Sequence, residues 1–340
     1  MRTLCCSSIL SGIEPFGVLF MRLVRDCIRF VIYAKLSLEQ IPAQECREIK
    51  EGDLMSWLNE FLYDDRNAER RLCIAAVTMR CNSDVEVNRE KMAAHVEAIL
   101  ADHPDVDLIF FGEAVSGWYN PAGKPELHSQ TAEPIPGPTT DTLAVLARQH
   151  HIHLCFGMSE SRDEQLYNAQ VLINPDGEVQ TLHRKCRLKE ETYCPGDTPV
   201  SLTQIGDIRT AMLVCSDAAS LDAIRALRKL RPELILLSMA DDEDEDFFMA
   251  QCNARMYDAW IVTANRFGDE GERHWNGHMV VSDPLGELRV AVDGCERVIV
   301  YDLGFANQGN WFKRSLRRLV AGPPLLVDLL TNWKQIRQYF

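Results

Sequence analysis

The chain has 340 residues, of which 46% are hydrophobic and 25% charged, the balance of an ordinary globular protein. This balance excludes a globally disordered chain, and the net charge of −14 opposes a groove for nucleic-acid phosphates, so no nucleic-acid partner is expected. The 12 cysteines include no CxxC and no paired zinc spacing, which favours free thiols in the reducing cytoplasm and no metal site.

The two ends of the chain are basic, unlike its acidic middle. Residues 1–36 hold 5 basic against 2 acidic side chains, and residues 305–340 hold 6 against 1. We therefore divide the chain into a basic amphipathic N-terminal extension (1–70), a central domain (71–304) and a basic C-terminal tail (305–340). Packing of both ends on the body or on a neighbouring copy is favoured. The alternative is peripheral contact with an anionic membrane surface.

Apolar strands alternate with amphipathic helices through the middle of the chain. The predicted strands are Leu72–Met79, Val106–Phe111, Ile152–Met158, Tyr167–Ile173, Glu178–His183, Thr210–Val214, Leu234–Ser238, Trp260–Asn265, His278–Asp283, Glu287–Val292 and Arg297–Leu303. The predicted helices are Asn88–Leu100, one from Thr139 to about Gln149, Ser220–Leu230 and Glu245–Tyr257. Helices between strands favour parallel pairing, whereas turns at Asn174–Gly177 and Pro284–Gly286 require antiparallel hairpins. A mixed α/β fold with two packed sheets covered by helices is therefore expected.

Three strand ends carry side chains suited to catalysis. Glu113 follows the strand ending at Phe111, where a carboxylate suits a general base, although a structural role on loop amides is the alternative. Lys185 follows a hairpin strand and would stabilise an oxyanion, unless it belongs to a solvated basic surface run. Cys215 leaves a buried strand before a helix, as a thiol nucleophile does, but many such cysteines are inert core residues.

The order Glu113, Lys185, Cys215 resembles the nitrilase or carbon–nitrogen hydrolase superfamily over about Arg71–Leu303. Other segments share the likeness. They are Ile74–Val77, Asn88, Gly112–Glu113 with Ser116–Gly117, Pro195–Asp197, Ala254–Trp260, Ala264–Arg266 and Ser282–Gly286. The chain departs from the family's usual pattern directly after the cysteine, where Ser216 stands in place of an aromatic residue.

The resemblance implies a four-layer αββα sandwich and a thiol amidohydrolase that needs no cofactor. Cys215 would be the nucleophile, Glu113 the general base and acid, and Lys185 the oxyanion stabiliser. The backbone N–H of Ser216 would be a second oxyanion donor. A further carboxylate that orients the lysine would be Glu191, with Glu190 as its competitor.

The expected substrate is a small amide or carbamoyl compound with a non-peptide C–N bond. A nitrilase or an N-acyltransferase with the same triad is the alternative enzyme, and a catalytically silent scaffold is the alternative from another class. A homodimer or larger homo-oligomer is expected from the resemblance.

Four more residues are candidates for contact with the substrate. Trp118 and Tyr119 follow Glu113 closely, with packing in the core or on the surface as the alternative. Met239 and Asp241 lie in a loop that the resemblance brings near the pocket. The acidic run that begins at Asp241 would select a cationic substrate, or would simply favour the N-terminus of the next helix.

Overall fold

A computed structural model describes residues 62–305 apart from 64, 67, 120–124, 189–191, 243–245 and 293, together with Arg317. The strands are β1 (Arg70–Thr78), β2 (Leu108–Phe111), β3 (His153–Arg162), β4 (Gln165–Ile173), β5 (Val179–Arg184), β6 (Ser201–Ile205), β7 (Ile208–Val214), β8 (Leu234–Ser238), β9 (Trp260–Ala264), β10 (Phe267–Glu270), β11 (Arg273–Asn276), β12 (Met279–Ser282), β13 (Leu288–Val292) and β14 (Arg297–Phe305). The helices are α1 (Val85–Asp102), α2 (Pro125–Thr131), α3 (Pro138–His150), α4 (Leu221–Leu230) and α5 (Asp246–Tyr257), with a 3₁₀ turn at Cys215–Ala219.

Two six-stranded sheets form the centre of the fold. The first has the strand order β14-β1-β2-β3-β4-β5 and the second β13-β12-β9-β8-β7-β6. In each sheet three neighbouring strands run parallel, β1-β2-β3 and β9-β8-β7, and antiparallel hairpin strands extend them. The carboxyl ends of parallel strands meet at one edge of a sheet, where α/β proteins usually build their sites.

Three apolar layers hold the elements together. One lies between the sheets and includes Phe110 and Trp260. Another joins the first sheet to α1 and α3 and includes Met92 and Leu143. The third joins the second sheet to α4 and α5 and includes Leu227. Three apolar interfaces require four layers, so the predicted αββα sandwich is confirmed.

The described residues contain the eleven strands and four helices that the sequence predicts for the central domain, and four more strands and helices. The additional elements are the short helix α2 and the strands β6, β10 and β11. In β6 the apolar Leu202 is exposed while Thr203 is buried, so its hydrophobic pattern does not match a half-buried strand. Apolar periodicity therefore finds the central strands and misses the polar ones.

The predicted hairpin turns are present. Between β4 and β5, Gly177 adopts a φ of +76° and the Asn174 side chain accepts from the backbone N–H of Asp176 and of Glu178. Between β12 and β13, Gly286 adopts the same positive φ and its N–H donates to Asp283. Left-handed backbone suits glycine because it has no Cβ, which explains why these turns were predictable.

The described residues of the two extensions pack on the domain. Arg317 pairs with Asp258 at 2.6 Å and donates to the backbone oxygen of Leu62 at 3.0 Å. Tyr63 accepts a hydrogen bond from Trp260 Nε1. The remainder of residues 1–61 and 306–340 lies outside the described part of the chain. Within that part, no helix combines the length and the apolar character that crossing a membrane needs.

Candidate active site

The fold brings three strand ends together at one edge of the sandwich. Glu113 follows β2 of the first sheet, and Lys185 directly follows β5 of the same sheet. Cys215 directly follows β7 of the second sheet. The backbone N–H of Glu113 donates to the oxygen of Met239, which follows β8, so the two sheets meet here.

Glu113 and Lys185 form a buried ion pair. The Nζ of Lys185 lies 2.8 Å from Oε1 of Glu113, and the side chains are 2% and 0% exposed. The other carboxylate oxygen, Oε2, is buried and has no hydrogen-bond partner within the described residues. A carboxylate oxygen without a partner is available to take a proton.

Two further groups complete this network. The Nδ2 of Asn168 donates to Oε1 of Glu113 at 2.7 Å. The Tyr119 hydroxyl lies 3.3 Å from the Lys185 ammonium and 3.4 Å from the Asn168 amide nitrogen, and it accepts from both. Tyr119 was a predicted substrate contact, whereas Asn168 was missed. The sequence signal that could have identified Asn168 is a polar residue within a predicted buried strand.

The electrostatics keep Lys185 charged. Burial by itself lowers the pKa of the lysine, but the Glu113 carboxylate, with a smaller contribution from the ionised form of Cys215, outweighs burial and raises the pKa above its ordinary value. A cation held in a buried setting is suited to stabilising a developing oxyanion.

Cys215 occupies a strained turn. Its φ is +45°, a left-handed conformation that costs a non-glycine residue roughly 1–2 kcal/mol. The residue is partly exposed, unlike Glu113 and Lys185. Strained backbone of this kind concentrates at functional positions because the surrounding structure has to maintain it.

Ser216 binds through its side chain to the lysine segment. Its Oγ donates to the backbone oxygen of Arg187 at 2.6 Å, an interaction that an aromatic residue at this position would not make. The Ser216 hydroxyl is therefore already bonded, and only the backbone N–H of Ser216 could serve as the predicted oxyanion donor.

A buried arginine supports the loop that carries Glu113. Arg266 donates to the backbone oxygens of Glu113 at 2.8 Å and Ala114 at 2.6 Å, and it pairs with Glu270 at 2.5 Å. Glu270 in turn accepts from the backbone N–H of Tyr119 at 2.8 Å. This pair connects the loop that carries Glu113 to the backbone of Tyr119, and the sequence indicates it only through the Ala264–Arg266 segment.

The sequence profile of the carbon–nitrogen hydrolase family matches residues 73–311, well over half of the chain. The chain belongs to the carbon–nitrogen hydrolase family. The resemblance that the sequence motifs indicated is thereby confirmed.

Three related proteins with assigned names align with this chain over two thirds or more of their own lengths. A probable nitrilase of Schizosaccharomyces pombe is 25% identical over 233 residues, which cover 65% of this chain and 83% of the relative. An (R)-stereoselective amidase of a Pseudomonas species is 28% identical over 219 residues, which cover 61% of this chain and 77% of the relative. An omega-amidase of Bos taurus is 29% identical over 191 residues, which cover 50% of this chain and 67% of the relative.

Solved structures of the superfamily share the fold. Nit3 of Saccharomyces cerevisiae, of branch 10 of the nitrilase superfamily, aligns with a TM-score of 0.65 at 21% identity, covering 74% of this chain and 95% of its own. An amidase from Nesterenkonia sp. aligns with a TM-score of 0.58 at 21% identity, covering 70% and 92%, and carries the acetamide moiety of fluoroacetamide on its active-site cysteine. This carbon–nitrogen hydrolase is thus an enzyme that acts on C–N bonds other than peptide bonds.

The other predicted site residues of this carbon–nitrogen hydrolase fall in different places. Met239 is buried and its backbone contacts Glu113, while the backbone N–H of Asp241 donates to the Asn265 side chain at 3.1 Å. Trp118 is not brought to the ion pair: its Nε1 donates to the oxygen of Cys81, and its ring packs in the layer between the first sheet and the helices.

Tyr119 therefore faces the ion pair, whereas the adjacent Trp118 points away from it. Glu190 and Glu191, the candidates for the additional carboxylate, lie outside the described residues. Among the residues that the structure does describe, no group of three or more His, Cys, Asp or Glu side chains is placed to hold a metal ion.

Proposed function

We propose that the protein is a thiol amidohydrolase that cleaves the C–N bond of a small amide or carbamoyl compound through a thioester on Cys215. The observation that carries this proposal is the buried Glu113–Lys185 pair, with its second carboxylate oxygen unpartnered in the described structure, near the strained turn of Cys215. The cysteine-bound acetamide moiety of the Nesterenkonia amidase supports the choice of nucleophile.

The first half of the reaction forms the thioester. The Glu113 carboxylate takes the thiol proton of Cys215 on Oε2, and the sulfur attacks the carbonyl carbon of the substrate. The Lys185 ammonium and the backbone N–H of Ser216 stabilise the resulting oxyanion. The C–N bond then breaks, and the proton held by Glu113 leaves with the nitrogen as ammonia or an amine.

The second half of the reaction regenerates the enzyme. Water enters where the amine was, and Glu113 takes one of its protons. The hydroxide attacks the thioester carbon, the carbon–sulfur bond breaks, and the proton returns from Glu113 to the Cys215 sulfur. The products are a carboxylic acid, or carbamic acid from a carbamoyl compound, and the free enzyme.

The test is intact-protein mass spectrometry of rapidly quenched mixtures with a panel of amides, carbamoyl amines and nitriles. Wild-type protein should gain the mass of the substrate less its amine, and Cys215→Ala should gain nothing. Addition of a whole nitrile would indicate nitrilase chemistry instead, because a thioimidate retains the nitrogen. Faster release of the acyl group to an added amine than to water would indicate an acyltransferase.

The outcome that contradicts the proposal is equally specific. If no substrate adds mass, and iodoacetamide alkylates Cys215 no faster than it alkylates Cys73, the thiol is not activated. The protein would then be a silent scaffold on the same fold.

We also propose a cytoplasmic homo-oligomer whose basic ends pack on protein. The contact of Arg317 with Asp258 and Leu62 supports packing of the ends over contact with a membrane. Light scattering at several protein concentrations tests the oligomer. Pelleting with anionic vesicles at low salt, lost on deletion of residues 1–36, would support the membrane alternative instead.

A further inference from the structure

A buried carboxylate two residues after the proposed nucleophile binds the segment that carries the lysine. Oδ1 of Asp217 accepts from the backbone N–H of Cys186 at 3.0 Å and of Arg187 at 2.7 Å. Oδ2 lies 3.0 Å from Nε2 of His183. The residues bound to Asp217 therefore lie on both sides of Lys185 in the chain. Neither the His183 nor the Asp217 side chain is more than 1% exposed.

The same carboxylate also spans the strained turn. Oδ2 of Asp217 accepts from the backbone N–H of Val214 at 3.4 Å, so its contacts bracket Cys215. A carboxylate accepts hydrogen bonds, and the backbone N–H groups of Val214, Cys186 and Arg187 all donate to the carboxylate of Asp217. The left-handed φ of Cys215 is thus held by a group that also holds the lysine segment.

Further bonds join the same two segments. Ser216 donates to the Arg187 oxygen at 2.6 Å, and the Arg187 guanidinium donates to the Ala219 oxygen at 2.9 Å. His183 is fixed from its other side, where Nδ1 lies 3.1 Å from the Ser201 hydroxyl oxygen. The junction between the lysine segment and the cysteine turn is therefore defined by side chains and not only by sheet packing.

We propose that Asp217 is a positioning residue that fixes the Lys185 ammonium relative to the Cys215 sulfur. This inference rests on the proposed roles of those two residues. A carboxylate bound to both segments at once can fix their relative placement, which neither sheet alone determines, because Lys185 follows the first sheet and Cys215 the second. A misplacement of about 1 Å in such a pair can cost roughly 100-fold in rate.

The charge of Asp217 adds a second effect. Burial lowers the pKa of Lys185 and Glu113 raises it most strongly, and Asp217 is among the remaining charges that raise it. Neutralising Asp217 should therefore lower the pKa of the lysine. The alkaline limb of the acylation rate, which requires the charged ammonium, should then move to lower pH.

The test compares Asp217→Asn with a matched control. The asparagine keeps an oxygen for the two backbone amides that Oδ1 binds, but it places an NH₂ group where Oδ2 contacts both His183 and Val214. Asp222→Asn makes the same change on the surface of α4, where the carboxylate is 75% exposed. Sites are counted by the burst amplitude of the Cys215 substrate adduct, and the acylation rate is expressed per titrated site. A misfolded molecule, whose thiol iodoacetamide would still alkylate, forms no such adduct and is not counted.

The expected result is a split between rate and binding. Asp217→Asn should lower the maximal acylation rate about 10- to 100-fold, with the half-saturating substrate concentration changed less than about threefold. The alkaline limb should move to lower pH, and Asp222→Asn should match wild type in all three quantities. A merely structural role would lower thermal stability and the number of titratable sites but leave the rate per site unchanged.

Two outcomes overturn the proposal. One is a rate per site within twofold of wild type with the alkaline limb unmoved. The other applies if Asp217→Asn does not fold: His183→Leu then removes the imidazole from both Asp217 and Ser201, and an unchanged rate per site would contradict a positioning role. If wild type itself forms no Cys215-dependent adduct, it is the proposed function that fails, and the two failures are thereby distinguished.

Discussion

Lys185 engages only one oxygen of Glu113. Its Nζ lies 2.8 Å from Oε1, while Oε2 is buried without a hydrogen-bond partner in the described structure. The two carboxylate oxygens therefore have separate roles in the proposed reaction: one anchors the cation that stabilises the oxyanion, and the other exchanges protons with thiol, amine and water. A single buried carboxylate can thus serve both half-reactions without a rearrangement of the lysine.

The separate roles of the two carboxylate oxygens predict that Glu113→Gln lowers both the acylation rate and the stability. The amide cannot take the thiol proton, so the maximal acylation rate should fall about 100- to 10,000-fold. The substitution also leaves the Lys185 ammonium buried without its partner, which should destabilise the fold by about 3–5 kcal/mol. Quenched-flow mass spectrometry gives the rate, and urea denaturation gives the free energy of unfolding.

The double variant Glu113→Gln/Lys185→Met separates the two effects. It removes both charges, so a substantial part of the lost stability should return while acylation stays at least as slow as in Glu113→Gln. If the double variant is as unstable as the sum of the single variants, the ion pair does not couple the two residues in the way the geometry indicates.

The close approach of Gly157 to Glu113 leads to a second prediction, for the substitution Gly157→Ala. This residue of β3 lies so close to the loop that carries Glu113 that an added Cβ would be 2.5 Å from Ala114 N and 2.8 Å from Glu113 Cα. Both neighbours are backbone atoms, so they cannot move aside as a flexible side chain would. Gly157→Ala should therefore displace the loop and lower both the free energy of unfolding and the acylation rate per titratable Cys215.

Gly206 is the matched control for that substitution. It has a positive φ of +59°, and a Cβ there would meet nothing within 4 Å. Gly206→Ala should cost only the left-handed strain, about 1 kcal/mol, with the acylation rate unchanged. Equal rates for the two variants would show that the close approach at Gly157 does not set the position of Glu113.

The sequence predicts the central strands because burial on both faces leaves a continuous apolar run such as that of β2 or β8. It also identifies Glu113, Lys185 and Cys215 as candidates, since each follows a predicted strand. It does not predict their mutual geometry. That geometry depends on contacts between segments far apart in the chain, such as Arg266 with the oxygens of Glu113 and Ala114.

Side-chain direction is the second limit of prediction from sequence. Trp118 and Tyr119 are adjacent and aromatic, yet only Tyr119 reaches the lysine. Asp217 shows the same limit. It stands in a segment that departs from the family's usual pattern, and only the fold reveals that its carboxylate binds the residues around Lys185.

Selective alkylation tests the activation of Cys215 without any substrate. Burial, with a smaller effect from nearby carboxylates, raises the pKa of Cys73 and of Cys186 to about 11. At pH 8 only about one molecule in a thousand then carries the reactive thiolate at either position. Lys185, in contrast, attracts the charged form of Cys215.

Iodoacetamide at pH 8 should therefore alkylate Cys215 at least tenfold faster than Cys73 or Cys186. The rates at Cys73 and Cys186 should rise about tenfold for each pH unit up to about 11, because the thiolate fraction rises by that factor below a raised pKa. Peptide mass spectrometry gives the rates, with a digest other than trypsin because Lys185 and Arg187 flank Cys186. The substitution Lys185→Met should slow the alkylation of Cys215 and leave the alkylation rate of Cys73 unchanged. Equal rates at Cys215 and Cys73 in wild type would mean that the buried lysine does not activate this thiol.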